Sequence, residues 1–428
     1  MDVSFTSTLT DNPLMDFDHL WKKHIGIDEG IQRILLSVVA GNELSEKEAI
    51  TLFHTEGKEL DALVAVANYL REQAVGNHAS FVITRNINFT NVCYMGCTFC
   101  GFAKPKEAPD AELLSLDEVA SRAKEAWQRG ATEVCIQGGL HPSIRGDHYR
   151  SILKAIKDVT PNMHIHAFSP FEMWFGARKS KMSISDFIQD LMDHGLGSMP
   201  GTAAEILDVD IRKQLTKDKL TTQQWIDIIK TAHELGLPST ATIMYGHIDE
   251  PKHWASHLRQ IRDIQKQTGG FTEFVPLGFV HYESPLFLSR DDVRPGPTIE
   301  ESIRMHAISR LMLNGWIDNI QASWVKLGPQ YAQSMLNVGA NDLGGTLMNE
   351  SISRAAGGKN GQEIQPEDMV KMIRNAGRTP YRRNTLYQAL EYFNEENEPY
   401  YVCASSLSGE SSSQTGQPTL VPTRECSL

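Results

Sequence analysis

Three cysteines fall within the eight residues Cys93-Tyr94-Met95-Gly96-Cys97-Thr98-Phe99-Cys100, in a chain that holds only 6. Three thiolates in one loop can ligate three irons of a 4Fe–4S cluster and leave the fourth iron without a protein ligand. The amino and carboxylate groups of S-adenosylmethionine can chelate that iron. An electron passed into the sulfonium then breaks a C–S bond and releases a 5′-deoxyadenosyl radical, chemistry that only a cofactor can supply. Zinc would call for a fourth protein ligand in a closed tetrahedral site, and no His or Cys follows before Cys135. A ferredoxin-type cluster would need a fourth Cys. A disulfide framework belongs to smaller secreted chains with evenly spread cysteines. Cys135 reads as a small buried residue, and Cys403 and Cys426 sit in or beside a polar tail.

Other residues could complete such a site. Phe99 precedes the last Cys and could shield the cluster and pack near an adenine. Gly138-Gly139 ends a β-rich run, where missing side chains let the backbone approach a ligand such as the methionine amino group. Glu172 and Glu205 follow the next two runs and are further cofactor-binding candidates. His247, His281, Gln321, Ser323, Asn341, Asp342 and Thr346 end or follow the later ones and are candidates for a polar, hydroxyl-rich substrate. No Ser-His-Asp grouping, carboxylate pair or phosphate loop is legible, so hydrolysis is a weak rival.

The elements that would position these groups alternate. β-rich runs lie at 81–89, 133–137, 164–168, 196–199, 239–245, 271–277 and 319–325, with a weaker one near 341–347. Helical patterns lie between them, at 116–129, 184–194, 222–235 and 253–267. About eight such alternations predict an α/β fold, a (β/α)8 TIM-type barrel with its active site at the C-terminal rim of the strands. Residues 1–80 read as a helical extension, with a capping box at Ser45 and Glu48 and an apolar face of Leu60, Leu63, Val64, Ala67 and Leu70. The barrel is expected over 81–390. A Ser-rich disordered tail is expected over 401–428, because it lacks the apolar content to order itself. The net charge of -12 and pI of about 5.7 argue against nucleic acid as a partner. With no secretory pattern and no membrane-length apolar run, a cytoplasmic location is expected.

Residues from about Phe81 to Tyr387 resemble the family of tyrosine-dependent FO synthase subunits, radical enzymes of deazaflavin coenzyme biosynthesis. The resemblance rests on the run 85–93 (RNINFTNVC), on 195–205 (GLGSMPGTAAE), on 272–277 (TEFVPL), on 321–326 (QASWVK) and on 339–348 (GANDLGGTLM). It implies a 4Fe–4S cluster on Cys93, Cys97 and Cys100, S-adenosylmethionine as cosubstrate and an external electron donor. It also implies L-tyrosine and 5-amino-6-(D-ribitylamino)uracil as substrates. Tyrosine would be cleaved at Cα–Cβ and its 4-hydroxybenzyl unit joined to C5 of the uracil, with iminoacetate, methionine and 5′-deoxyadenosine as coproducts. A partner radical enzyme would then close the deazaflavin ring, since this chain carries one three-Cys motif. Two menaquinone-pathway enzymes, aminofutalosine synthase and dehypoxanthine futalosine cyclase, are similar in the cysteine loop. They differ by an Asp where this chain has Gly344 and by another motif on the seventh strand.

Overall fold

The computed structural model describes residues 17, 21–24, 26–216 and 219–393, and the backbone of 400–401 and 421–422. The first barrel strand is made in two pieces, β1 (His78–Val82) and β2 (Thr84–Asn88), and it changes neighbours at Ile83. β2 pairs in parallel with β3 (Glu133–Gln137), and β3 with β4 (His164–Ala167). Parallel bridges His166–Ser198 and Met199–Ser239 carry the sheet through a fourth, minimal strand to β5 (Ser239–Tyr245). β5 pairs with β6 (Phe271–Gly278), and bridges at Ile320 and Gln321 lead on to β7 (Asp342–Gly345). β7 returns to β1, and Asn86 N–H donates to Leu347 O, which closes the ring. Counting β1 and β2 as one strand and the two bridged segments as one each, this is the expected eight-stranded parallel barrel.

Local chemistry explains most helix starts. Ser115 with Glu118, Ser169 with Glu172, Thr221 with Gln224 and Thr298 with Glu301 each form a capping box, which satisfies orphan N–H groups at the first turn. The helices Leu116–Gln128, Ile184–Asp193, Thr222–Glu234 and Pro251–Thr268 match the patterned segments. The helix Ile299–Leu313 gives no such pattern because it is buried on nearly every face. Its outer side is covered by the N-terminal helix Gly57–Val75, and Arg304 Nη1 donates to Thr55 O at 2.8 Å. The capping box at Ser45 is present, with Ser45 N–H 2.9 Å from Glu48 Oε2. One continuous apolar core runs from Ile31 in the extension to Ile373 beyond the barrel.

Two expectations need correction. The run 319–325 is strand only around 320–321, and a helical turn starts at Trp324, anchored by its indole N–H to Gly345 O at 2.9 Å. The chain also does not end at an eighth strand. β8 (Thr379–Arg383) adds in parallel to β1 along His78 to Phe81, and β9 (Ala389–Tyr392) pairs antiparallel with β8. β1 therefore has β7 on one side and β8 on the other, while β2 above it faces β3. The expected flexible tail at 401–428 lies outside the described residues, apart from the backbone of 401 and 421–422, where short strands pair. Among the described residues no helix is long and apolar enough to cross a membrane.

Candidate active site

A cavity of about 450 Å³ runs along the barrel axis from the rim to the floor. Its rim end is formed by the loop after β2. Cys93, Cys97 and Cys100 all line it and none is in a disulfide. Burial pushes the Cys100 thiol up to about 11 and raises Cys93 too, and for each the neighbouring Cys97 adds to the rise while Lys219 opposes it. The three sulfurs are thus close enough to feel one another, and no described trio of His, Cys, Asp or Glu side chains closes on a single-ion site. Three thiols in one loop supply three ligands of a four-iron cluster, whereas a structural zinc site needs a fourth protein ligand.

The loop is held by close packing. Gly139 lies so near it that a Cβ there would sit 2.3 Å from Val92 O, and the Gly139 N–H donates to Thr90 O at 2.9 Å. Gly138 N–H donates to Glu172 Oε1 at 2.9 Å. Both N–H groups are therefore spent inside the protein. A ligand's ammonium is itself a donor, so this turn can meet it only through carbonyl oxygens. Glu172 is buried at the third residue of the helix Pro170–Ser180, and its other oxygen accepts from Ser169 N–H and Oγ–H at 2.8 and 2.7 Å. Burial lifts its carboxyl to about 7 against those donors. Glu172 lines the cavity, yet its hydrogen bonds latch the glycine turn to the next helix.

On the facing wall Glu205 is ion-paired with Lys219 at nearly full burial, and the Lys219 ammonium stands 5.0 Å from the centre of the Phe99 ring and 5.7 Å from that of Phe171. Glu205 and Ala203 both have positive φ, a strained loop pinned by Arg212 Nη2 on Ala203 O at 2.9 Å. Lys326 is half-buried near Cys100, donates to Ser353 Oγ at 2.6 Å, and has its pKa lowered by desolvation. Phe99, Gly138, Gly139, Glu172 and Glu205 thus all lie along the cluster end of the cavity.

The substrate candidates divide. Gln321 and Ser323 line the cavity, and Gln321 Nε2 donates to Glu273 Oε2 at 3.2 Å. The other five lie off its wall. His247 is fully buried, with Nδ1 accepting from Ile248 N–H at 2.8 Å and Nε2 at 3.1 Å from Met244 O, so it shapes its own turn. His281 packs at a tilt against Tyr282 and Phe287, with ring centres 4.1 and 4.6 Å away. Asn341 binds Arg310 and the Ile320 N–H at 2.9 and 2.8 Å. Asp342 holds Arg383 through two bonds of 2.6 and 3.0 Å. Thr346 bridges Thr84 N–H and Thr84 O at 3.1 and 3.0 Å. A polar residue at a strand end does two jobs in barrels, and here most of them tie strands together.

The floor holds residues that sequence reading passed over. Glu133, His166, Glu273, Arg383 and Thr385 all line the lower cavity, as does Cys135. Burial pushes Cys135 up to about 12 and Glu273 up to about 7. Burial would also raise Glu133, but His166 and Thr385 bring it below the usual carboxylate range. His166 is itself held neutral, at about 4, by burial, with Nδ1 2.7 Å from Ser198 Oγ. Tyr387 donates its hydroxyl to Glu273, and the Arg383 guanidinium lies 3.9 Å above the Tyr387 ring. The available signal was a charged residue at the head of an otherwise apolar run, as in Glu133-Val134-Cys135-Ile136.

An eight-stranded parallel barrel with a three-thiol loop after its first strand defines a radical S-adenosylmethionine enzyme. A sequence model described as the Radical SAM superfamily matches residues 87–261, and one described as the CofH/MqnC C-terminal region matches 268–396. The chain belongs to the family of the 5-amino-6-(D-ribitylamino)uracil–L-tyrosine 4-hydroxyphenyl transferases. It is 48% identical over 347 residues to the Methanopyrus kandleri protein of that name, a match covering 79% of this chain and 94% of the other. It is also 50% identical over 345 residues to FO synthase of Streptomyces coelicolor, covering 81% of this chain but only 40% of that one. The chain thus spans about two fifths of the FO synthases it matches. Among solved structures it is similar to methylornithine synthase, with a TM-score of 0.65 and 17% identity over 81% of this chain and 97% of the other, a likeness of fold. Enzymes of this class use a 4Fe–4S cluster and S-adenosylmethionine.

Proposed function

We propose that the chain cleaves L-tyrosine at Cα–Cβ and transfers the 4-hydroxybenzyl unit to C5 of 5-amino-6-(D-ribitylamino)uracil, the first radical step toward a deazaflavin. The observation that carries this reading is the 48% identity extending over 94% of the Methanopyrus transferase. Cys93, Cys97 and Cys100 would hold the cluster. Once bound, the cluster and S-adenosylmethionine supply an electron and a 5′-deoxyadenosyl radical. Everything else falls to the chain's own groups. Phe99 and Phe171 wall the rim and exclude water, with the Lys219 ammonium, paired to Glu205, held over both rings. The carbonyls of the Gly138-Gly139 turn are the acceptors for an ammonium, with Glu172 setting their direction. An apolar belt of Val275, Leu277, Val325 and Leu347 lies below and suits flat rings. An external electron donor and a partner enzyme that closes the deazaflavin ring complete the proposal.

Anaerobic incubation of the iron-reconstituted protein with reductant, S-adenosylmethionine, tyrosine and the ribitylaminouracil tests it. The expected products are 5′-deoxyadenosine, iminoacetate and an adduct carrying the mass of both fragments. Deoxyadenosine without that adduct, from an enzyme with intact cluster, would overturn the assignment. Cys97→Ser should lose both the visible absorption of the cluster and all deoxyadenosine formation.

A further inference from the structure

We infer that the floor of the barrel is a polyol subsite, in which Glu133, Glu273, Gln321 and Thr385 take the ribityl chain of the uracil substrate. The inference rests on the transferase reading and deepens it.

The cavity is chemically divided along its length. The carbocyclic rings on its described wall, Phe99, Phe102, Phe171 and Phe279, all sit on rim segments that follow β2, β4 and β6. Among the described residues no carbocyclic ring lines the floor, where the one ring on the wall is the His166 imidazole, tied to Ser198, and the Tyr387 ring behind is covered by Arg383. The floor offers acceptors and donors in close array. Glu133 opens β3 and Glu273 is the third residue of β6, and their charges are close enough to raise the Glu273 carboxyl. Gln321 presents an amide beside Glu273, and Thr385 presents a hydroxyl beside Glu133. Asn86, two residues along β2 from the partner of Glu133, lines the same wall, and its buried Oδ1 has no hydrogen-bond partner.

A chain of hydroxyls needs groups that accept and groups that donate at short spacing, because every buried hydroxyl left unmatched costs its desolvation. Two carboxylates, two amides and a hydroxyl in one pocket meet that need. An amino acid would not suit them, since its carboxylate would face Glu133 and Glu273. Among the described residues the cation lining the floor is Arg383, which is already paired through two bonds to Asp342. The polyol end of the substrate therefore points down, and its pyrimidine lies in the apolar belt nearer the rim.

The test compares 5-amino-6-(D-ribitylamino)uracil with 5-amino-6-(methylamino)uracil in the reconstituted holoenzyme. The wild type should prefer the ribityl compound in kcat/KM. Glu133→Gln and Thr385→Val should each reduce that preference, by about tenfold to a hundredfold for the charged group and less for the hydroxyl, mainly through KM. Circular dichroism and iron content establish that each variant is folded and loaded, and Thr385→Val serves if Glu133→Gln is not. If folded variants keep the wild-type preference between the two compounds, the subsite is wrong while the transferase reading stands. If the wild type forms no adduct from either compound, it is the transferase reading that fails.

Discussion

At the residue scale the decisive groups are buried carboxyls whose charge depends on their neighbours. Glu273 is squeezed between burial, the Arg383 cation, the Asp342 and Glu133 anions and the Tyr387 hydroxyl, and its carboxyl rises from the usual 4.5 to about 7. A carboxyl that holds its proton more tightly when folded stabilises the fold fully below pH 4.5 and loses that contribution as pH rises through 7. Replacing Glu273 with Gln keeps a neutral side chain at every pH. The stability difference between wild type and Glu273→Gln should therefore drift in favour of the variant from pH 4.5 to pH 8, by roughly 3 kcal/mol at most. Urea midpoints measured across that range check it, and a difference that stays constant with pH would refute it. The cysteine loop was readable at this scale because its three ligands lie within eight residues. Glu133, Glu273 and Thr385 were not, since no local pattern brings residues so far apart in sequence to one floor.

At the element scale the strand ends explain both the successes and the misreadings. The alternation of strand and helix gave the barrel, because each run is either a buried strand or an amphipathic helix, several of them opened by a capping box. The polar residues at strand ends were harder, since the same chemistry caps a turn, ties two strands or faces a ligand. His247 and Thr346 do the first two, while Gln321 faces the cavity. Gly344 on β7 shows how an element reaches the site indirectly. Its φ is +74°, and a Cβ there would lie 2.8 Å from Gln321 Cδ. An Asp at this position must push the Gln321 amide away from Glu273. Gly344→Asp should cost about 1–2 kcal/mol of stability from the left-handed backbone and raise KM for the uracil substrate more than KM for tyrosine. Thermal melts and steady-state kinetics with each substrate varied in turn measure both effects, and an unchanged KM for the uracil would separate Gly344 from the floor.

At the scale of the whole molecule, the segment after β7 floors the barrel that the earlier strands close. β8 delivers Arg383 and the residues after it into the floor, and the buried Arg383–Asp342 pair fastens that segment to β7. Nothing in the sequence after the last alternating run marked it as part of the site, because β8 joins a strand as far back as His78. Removing the cation alone leaves Asp342 charged and buried. Arg383→Ala should therefore destabilise the protein by about 3–5 kcal/mol, and Arg383→Met combined with Asp342→Asn should recover much of the loss. Denaturant unfolding of the three proteins decides this, and a single variant as stable as wild type would show that the pair does not hold the floor shut.

The divided first strand has a bearing on how the protein is made. The segment 78–82 leaves the ribosome early, but its two flanking strands are written at 342–345 and 379–383. Contacts separated by so much chain are slow to form, and until they do an apolar strand stands with both edges bare. The cylinder cannot shut before 342–345 has been made, so a growing polypeptide needs shelter from its neighbours until then, and iron has no finished chamber to enter until β8 has docked as well.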